Sequence, residues 1–157
     1  MPYGLILYMA KSRCRKEELK RCGILYPEDT FYVIRRPEPG AGLFSNFRWV
    51  LGHILYALEK NYIPVVDMQN YKTYYNEFEP INGSKNAWEY YFEQPEPYTL
   101  EQVYKGKNVV LGEMAYLYDR VPSFLETEEQ IARFNGVISQ YMRFNETTRQ
   151  AVNDAKS

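Results

Sequence analysis

The chain has 157 residues, 45% of them hydrophobic and 25% charged, and a formal net charge of -1. That length suits one domain able to bury most of its apolar surface. A charge so near zero leaves no electrostatic footprint for nucleic acid or anionic lipid, so neither is expected as a partner. The basic run "KSRCRKEELKR" is interrupted by Glu17 and Glu18 and reads as a solvated helix face. Two cysteines, Cys14 and Cys22, and a single histidine, His53, provide no metal-ligand spacing. Reduced thiols and a cytoplasmic location are therefore expected, with no metal and no cofactor. "GLILYMA" is too short to span a bilayer. The 16 tyrosines have two readings: a codon bias, or a surface that stacks on ring-shaped ligands.

In chain order, residues 2 to 22 carry apolar residues at approximately helical spacing, with Gly23 as a stop, and read as a helix. "YPEDT" reads as a loop. "FYVIRR", residues 31 to 36, is aromatic and β-branched and predicts a strand. The glycine-containing "PEPGAG" follows. Phe47, Val50, Leu51, Ile54, Leu55 and Leu58 then recur at helical spacing, predicting a helix over 45–60 with Ser45 as its N-cap and Asn61 as its stop. "YIPVVDM" is a nearly unbroken apolar run, as in a parallel strand covered on both faces, and it ends on Asp67. Strand, helix and strand over 31–67 form a βαβ unit.

Residues 68 to 98 form a long aromatic and acidic connection in which "NAWEYYFEQ" holds a short helix. Thr99 with Gln102 is a capping box before Gly106, "NVVLG" is a third buried strand, and Thr127 with Gln130 caps a further helix. A last helix starts at Asn145. The expected fold class is α/β, a three-layer Rossmann-like domain with a mostly parallel sheet containing 31–36, 63–67 and 108–111. No repeat or linker divides the chain.

The loop containing Gly40 and Gly42 lies between a strand's carboxyl end and a helix's amino end, where open α/β sheets bind ligands. "GAGLFS" fails the dinucleotide fingerprint, because Ser45 stands where the third glycine belongs, and it lacks a P-loop's Lys-Ser/Thr. The loop is thus either a tight turn or a ligand-facing backbone. Asn46 adds an amide in the helix's first turn. Asp67 is either a loop cap or a carboxylate facing the same crevice. Trp88 and Glu89, among Tyr90, Tyr91 and Phe92, are either core or a place for a hydroxylated ligand. No nucleophile set of the Ser-His-Asp or Cys-His kind is present.

Taken together, "FYVIRR…GAGLFSNFRWVLGHILYALEKNYIPVVDM", "TYYNE", "INGSKNAWEYYFEQ" and "EQVYKGKNVVLG" resemble fucosyltransferase-like glycosyltransferases of GT-B architecture, near the α-1,6-fucosyltransferase type, over about Phe31 to Asn145. The resemblance implies two α/β lobes, the first facing the glycan acceptor and the second the sugar nucleotide, GDP-fucose. It points to Gly40, Gly42, Leu43, Ser45 and Asn46 as binding residues; the residues themselves add Trp88 as a further binding residue and Asp67 and Glu89 as catalytic bases. Phe44 and Ser45 depart from the Gly and Asn usual in related loops. The His-X-Arg-Gly-Thr-Asp-like segment of the second lobe, whose arginine neutralises the leaving diphosphate, has no counterpart in this sequence. The resemblance therefore implies a first lobe only, acting with a second lobe or as a homo-oligomer. The alternative is a non-catalytic module that binds a glycan or a protein.

Overall fold

The computed structural model describes residues 18–20, 23–36, 42–112, 121 and 126–157. Four strands, β1 (Glu18–Lys20), β2 (Leu25–Ile34), β3 (Ile63–Val66) and β4 (Gly106–Gly112), form one sheet in the order β1-β4-β2-β3. β4, β2 and β3 run parallel, and β1 joins the far edge antiparallel. The helices are α1 (Leu43–Glu59), α2 (Leu100–Tyr104), α3 (Glu128–Tyr141) and α4 (Glu146–Asp154), with a 3-10 turn at Ala87–Tyr90. The fold is α/β with a mostly parallel open sheet, as the apolar runs predict.

Alternation along β2 builds the layers. Phe31 and Val33 pack with Val65, Val103, Val109 and Leu111 on one face, closed by Tyr98, Leu100 and Tyr104 around α2. Tyr32 and Ile34 pack on the other, against Val50, Ile54 and Ala57 of α1, Trp88 and Phe92, with Phe134 of α3. Because successive strand side chains point to opposite faces, a strand apolar at every position needs both coverings.

Three sequence expectations are corrected. Residues 18–20 form a strand, not the end of a 2–22 helix; the remainder of that helix, with Cys14 and Cys22, lies outside the described residues. Gly23 is therefore no helix stop. A Cβ there would lie 2.1 Å from the Lys105 carbonyl oxygen, so the close passage of two backbones requires glycine. "YPEDT" belongs to β2, which begins at Leu25; its register against β4 shifts between Leu25 and Thr30, leaving the intervening polar residues irregular within a longer strand. Asn61 does stop α1. At φ 55° it lets Tyr62 N–H donate to the Ala57 carbonyl and its own N–H to the Leu58 carbonyl, the paired bonds of a Schellman motif. Both capping boxes and the Asn145 cap form as well.

Candidate ligand site at the carboxyl edge of the sheet

The chain leaves β2 for β3 through α1 on one face of the sheet. It then crosses to β4, on the opposite side of β2, by the 67–105 segment, whose helix α2 covers the other face. Open α/β sheets bind ligands where such connections diverge, beyond the carboxyl ends of the strands. β2 leads there into Arg35 and Arg36, β4 ends there in Gly112, and α1 presents its amino end. Gly112 is required: a Cβ would lie 2.4 Å from the Tyr32 hydroxyl, which spans this end of the sheet.

α1 starts one turn earlier than the sequence suggests. Its N-cap is Gly42, which makes no side-chain cap, so Ser45 falls inside the first turn. Gly42 has φ -64° and ψ 162°, extended backbone open to any residue, and its nearest neighbour in the Cβ direction is the Tyr75 hydroxyl at 3.9 Å. Among the described residues nothing demands glycine at 42. Gly40 lies outside the described residues.

Leu43, Asn46 and Trp88 come together. With Met68, Thr73, Tyr75, Ala87, Tyr91 and Phe92 they line one pocket beside the first turn of α1. Its free volume is about 10 Å³, room for a single water-sized group such as one hydroxyl. Trp88 is a wall: it is 2% exposed, stacks on Phe92 at 4.3 Å, and its indole N–H donates to the Glu93 carbonyl. Leu43, Tyr75 and Tyr91 form an exposed rim, extended by Phe144, which stacks on Phe92 at 5.3 Å. Asn46 is 3% exposed, and its Oδ1 is buried without a hydrogen-bond partner. A buried unsatisfied amide oxygen is costly, and a native structure that keeps one usually has a use for it.

The two carboxylates expected as bases stand apart from this pocket. Asp67 is fully buried and accepts from the N–H groups of Gln69 and Asn70, from Asn70 Nδ2, and from the Tyr104 hydroxyl at 2.6 Å. It thus ties the turn after β3 to α2. Burial, and then the bond to Asp67, hold the Tyr104 phenol protonated far above its ordinary range. Glu89 accepts from Ser84 Oγ at 2.5 Å, Gln94 Nε2 at 2.6 Å and Asn86 Nδ2 at 3.3 Å. Asn86 and Gln94 in turn cover the outer edge of β3. Gln94 accepts from Val66 N–H and donates to Val66 O, both at 2.9 Å, while Asn86 donates to Val66 O and accepts from Met68 N–H. Two side-chain amides stand in for a missing neighbouring strand.

Sequence reasoning missed several of these residues. Tyr75, Tyr91 and Thr73 reach the pocket only through the path of the 68–98 segment, for which no periodicity exists. Arg35 and Arg36 did carry a signal, as charges directly after a buried strand. Their guanidinium groups lie 4.5 Å from the Tyr71 ring centre and 4.6 Å from the Trp49 ring centre, on opposite faces of the sheet. His53, fully buried against Trp49 and hydrogen-bonded through Nδ1 to the Tyr32 hydroxyl at 2.8 Å, is a core residue. Burial, reinforced by Arg36, lowers its pKa to about 3. Among the described residues no group of His, Cys, Asp and Glu is arranged to hold a metal, and no helix is long and apolar enough to cross a membrane.

Fold and site together define an α/β domain with an aromatic-rimmed pocket at the carboxyl edge of a mostly parallel sheet. Comparison with known protein families, curated proteins and solved structures finds no match to this chain.

Proposed function

We propose that this chain is the acceptor-side lobe of a fucosyltransferase-like glycosyltransferase, holding a glycan at the pocket beside α1 while a second lobe supplies the nucleotide sugar. The buried, partnerless Oδ1 of Asn46 carries the reading. An amide-bearing residue with a partnerless oxygen, lining a hydroxyl-sized recess together with Tyr75 and Tyr91, suits one sugar hydroxyl inserted and the ring stacked outside. The sequence resemblance supports the same class and, of the lining residues, Leu43 and Asn46.

The test is titration of the ¹⁵N-labelled protein with neutral oligosaccharides and, separately, with GDP-fucose. Saccharide-induced shifts should centre on Leu43, Asn46, Tyr75 and Tyr91, and Asn46→Ala should weaken binding at least tenfold without lowering the melting temperature. An absence of saccharide binding, or binding indifferent to Asn46→Ala, contradicts the proposal. A second reading, a glycan-binding module without catalysis, is favoured by the engagement of both Asp67 and Glu89, with four and three donors respectively. Nucleotide release from GDP-fucose in the presence of a glycan and a complementing second lobe separates the two. The lobe reading requires turnover with the second lobe and none without it, because leaving-group stabilisation supplies several kcal/mol.

A further inference from the structure

We propose that Asn82 is a self-modification site: the backbone nitrogen of Gly83 attacks the Asn82 side-chain amide and converts the residue to isoaspartate, while the chain's second Asn-Gly pair, Asn135-Gly136, is protected by its helix. The two pairs have the same local chemistry, and all four residues are exposed. A Cβ built on either Gly83 or Gly136 meets nothing within 4 Å, so neighbouring atoms shield neither site. Glycine also leaves the attacking nitrogen without a Cβ beside it. The backbone is what distinguishes them.

Asn82 and Gly83 are the central residues of a type I′ turn, with φ values of 52° and 79°. Ile81 and Ser84 exchange N–H···O bonds of 2.9 and 3.0 Å across them. Gly83 N–H itself makes no hydrogen bond among the described residues, so it is open to deprotonation. One bond holds the Asn82 side chain, from Nδ2 to the Tyr90 carbonyl at 3.1 Å. Releasing a single bond of this kind slows the reaction by about tenfold at most. Asn135 lies in the middle of α3, whose amino end is fixed by the Thr127 capping box. There the Gly136 N–H donates to the carbonyl one turn back, and rotating the backbone toward ring closure breaks the helix on both sides.

The reaction needs only water. Hydroxide removes the Gly83 amide proton, and the nitrogen bonds to Asn82 Cγ. The Cγ–Nδ2 bond breaks, and Nδ2 takes a proton from water and departs as ammonia, regenerating hydroxide and leaving a five-membered succinimide. A second water opens the ring at either carbonyl, giving aspartate or isoaspartate. Both products lose the donor to the Tyr90 carbonyl. Isoaspartate also lengthens the main chain by one carbon, so the turn cannot keep both Ile81–Ser84 bonds.

The experiment incubates the full chain in mildly alkaline buffer, folded and in urea, and follows both pairs by peptide mapping with mass spectrometry. Labelling by an isoaspartyl methyltransferase separates isoaspartate from aspartate. In urea the two pairs should react at about the same rate. In the folded protein Asn82 should remain within about tenfold of its urea rate, whereas Asn135 should react at least about tenfold more slowly than Asn82. Asn82→Gln should remove most of the product formed by the folded chain, and Asn135→Gln should leave it unchanged. Reaction at Asn82 in urea but none in the folded protein, or folded-state reaction at Asn135 as fast as at Asn82, overturns the proposal.

Discussion

In β2, α1 and β3 the chain is held mainly by apolar side chains that interlock: Phe31, Val33, Ile34, Val50, Ile54, Val65 and Val66 are all fully buried. Between Asp67 and Tyr98 the fixing contacts are amides, hydroxyls and carboxylates, with Asp67, Asn76, Asn86, Glu89 and Gln94 each making several hydrogen bonds. The first region follows from non-directional burial, which rewards any well-filled core. The second depends on directional bonds, so each of its polar residues has a specific assignment. Both regions contribute to the pocket: α1 supplies Leu43 and Asn46, and the segment supplies Thr73, Tyr75, Trp88 and Tyr91.

The difference can be broken first at Phe31, whose ring is fully buried against Tyr26 and Tyr98. Phe31→Ala should destabilise by about 3–5 kcal/mol in denaturant unfolding, while the conservative Phe31→Leu should recover much of the loss. A loss under 1 kcal/mol for the alanine variant argues against a cavity-sensitive core. Asn86→Ala strips Met68 N–H and Trp88 N–H of their acceptor and should destabilise by about 2–3 kcal/mol. Its particular signature is accelerated hydrogen exchange at Met68, with the α1 amides unaffected; uniform acceleration instead means that the two regions open together.

His53 sharpens the comparison, since it is a polar residue within the apolar region. Its folded pKa lies at about 3, below the ordinary value of 6.5, so the unfolded chain takes up a proton that the native state refuses. The stability contributed by the neutral form is present above pH 6.5 and is lost as pH falls from there toward 3. Between pH 7 and pH 5 the loss should be about 2 kcal/mol, and His53→Gln should flatten that slope. An unchanged slope in the variant assigns the acid sensitivity elsewhere. The smallest effect is expected at the exposed capping box of α2, where Thr99→Ala should lower stability by about 1 kcal/mol without altering saccharide titration.

Local chemistry was legible wherever one residue and its near neighbours decide the outcome. The βαβ unit, the Asn61 stop, the Thr99 and Thr127 boxes and the Asn145 cap are all short-range, and each appears in the fold. Ser45 misled because Asn, Ser and Thr normally cap helices, whereas α1 begins from Gly42 with no side-chain cap. Gly23 misled because a helix stop and a close backbone passage call for the same residue, and only the position of Lys105, far along the chain, distinguishes them.

Composition and periodicity by themselves determined an α/β domain with a mostly parallel sheet, and placed a glycine-bearing loop at the carboxyl end of its first long strand. Tertiary structure alone decided which residues share the pocket, because the 68–98 segment has no repeating pattern and its path is set by bonds to Val66, Met68 and Asp67. It also separated Asp67 from Asn46: carboxylate and amide lie at the same end of the sheet, but Asp67 is held by Tyr104 of α2, while Asn46 sits with Trp88 on the α1 face. Side chains alternate across a strand, so closeness to the same edge does not put two groups in the same crevice.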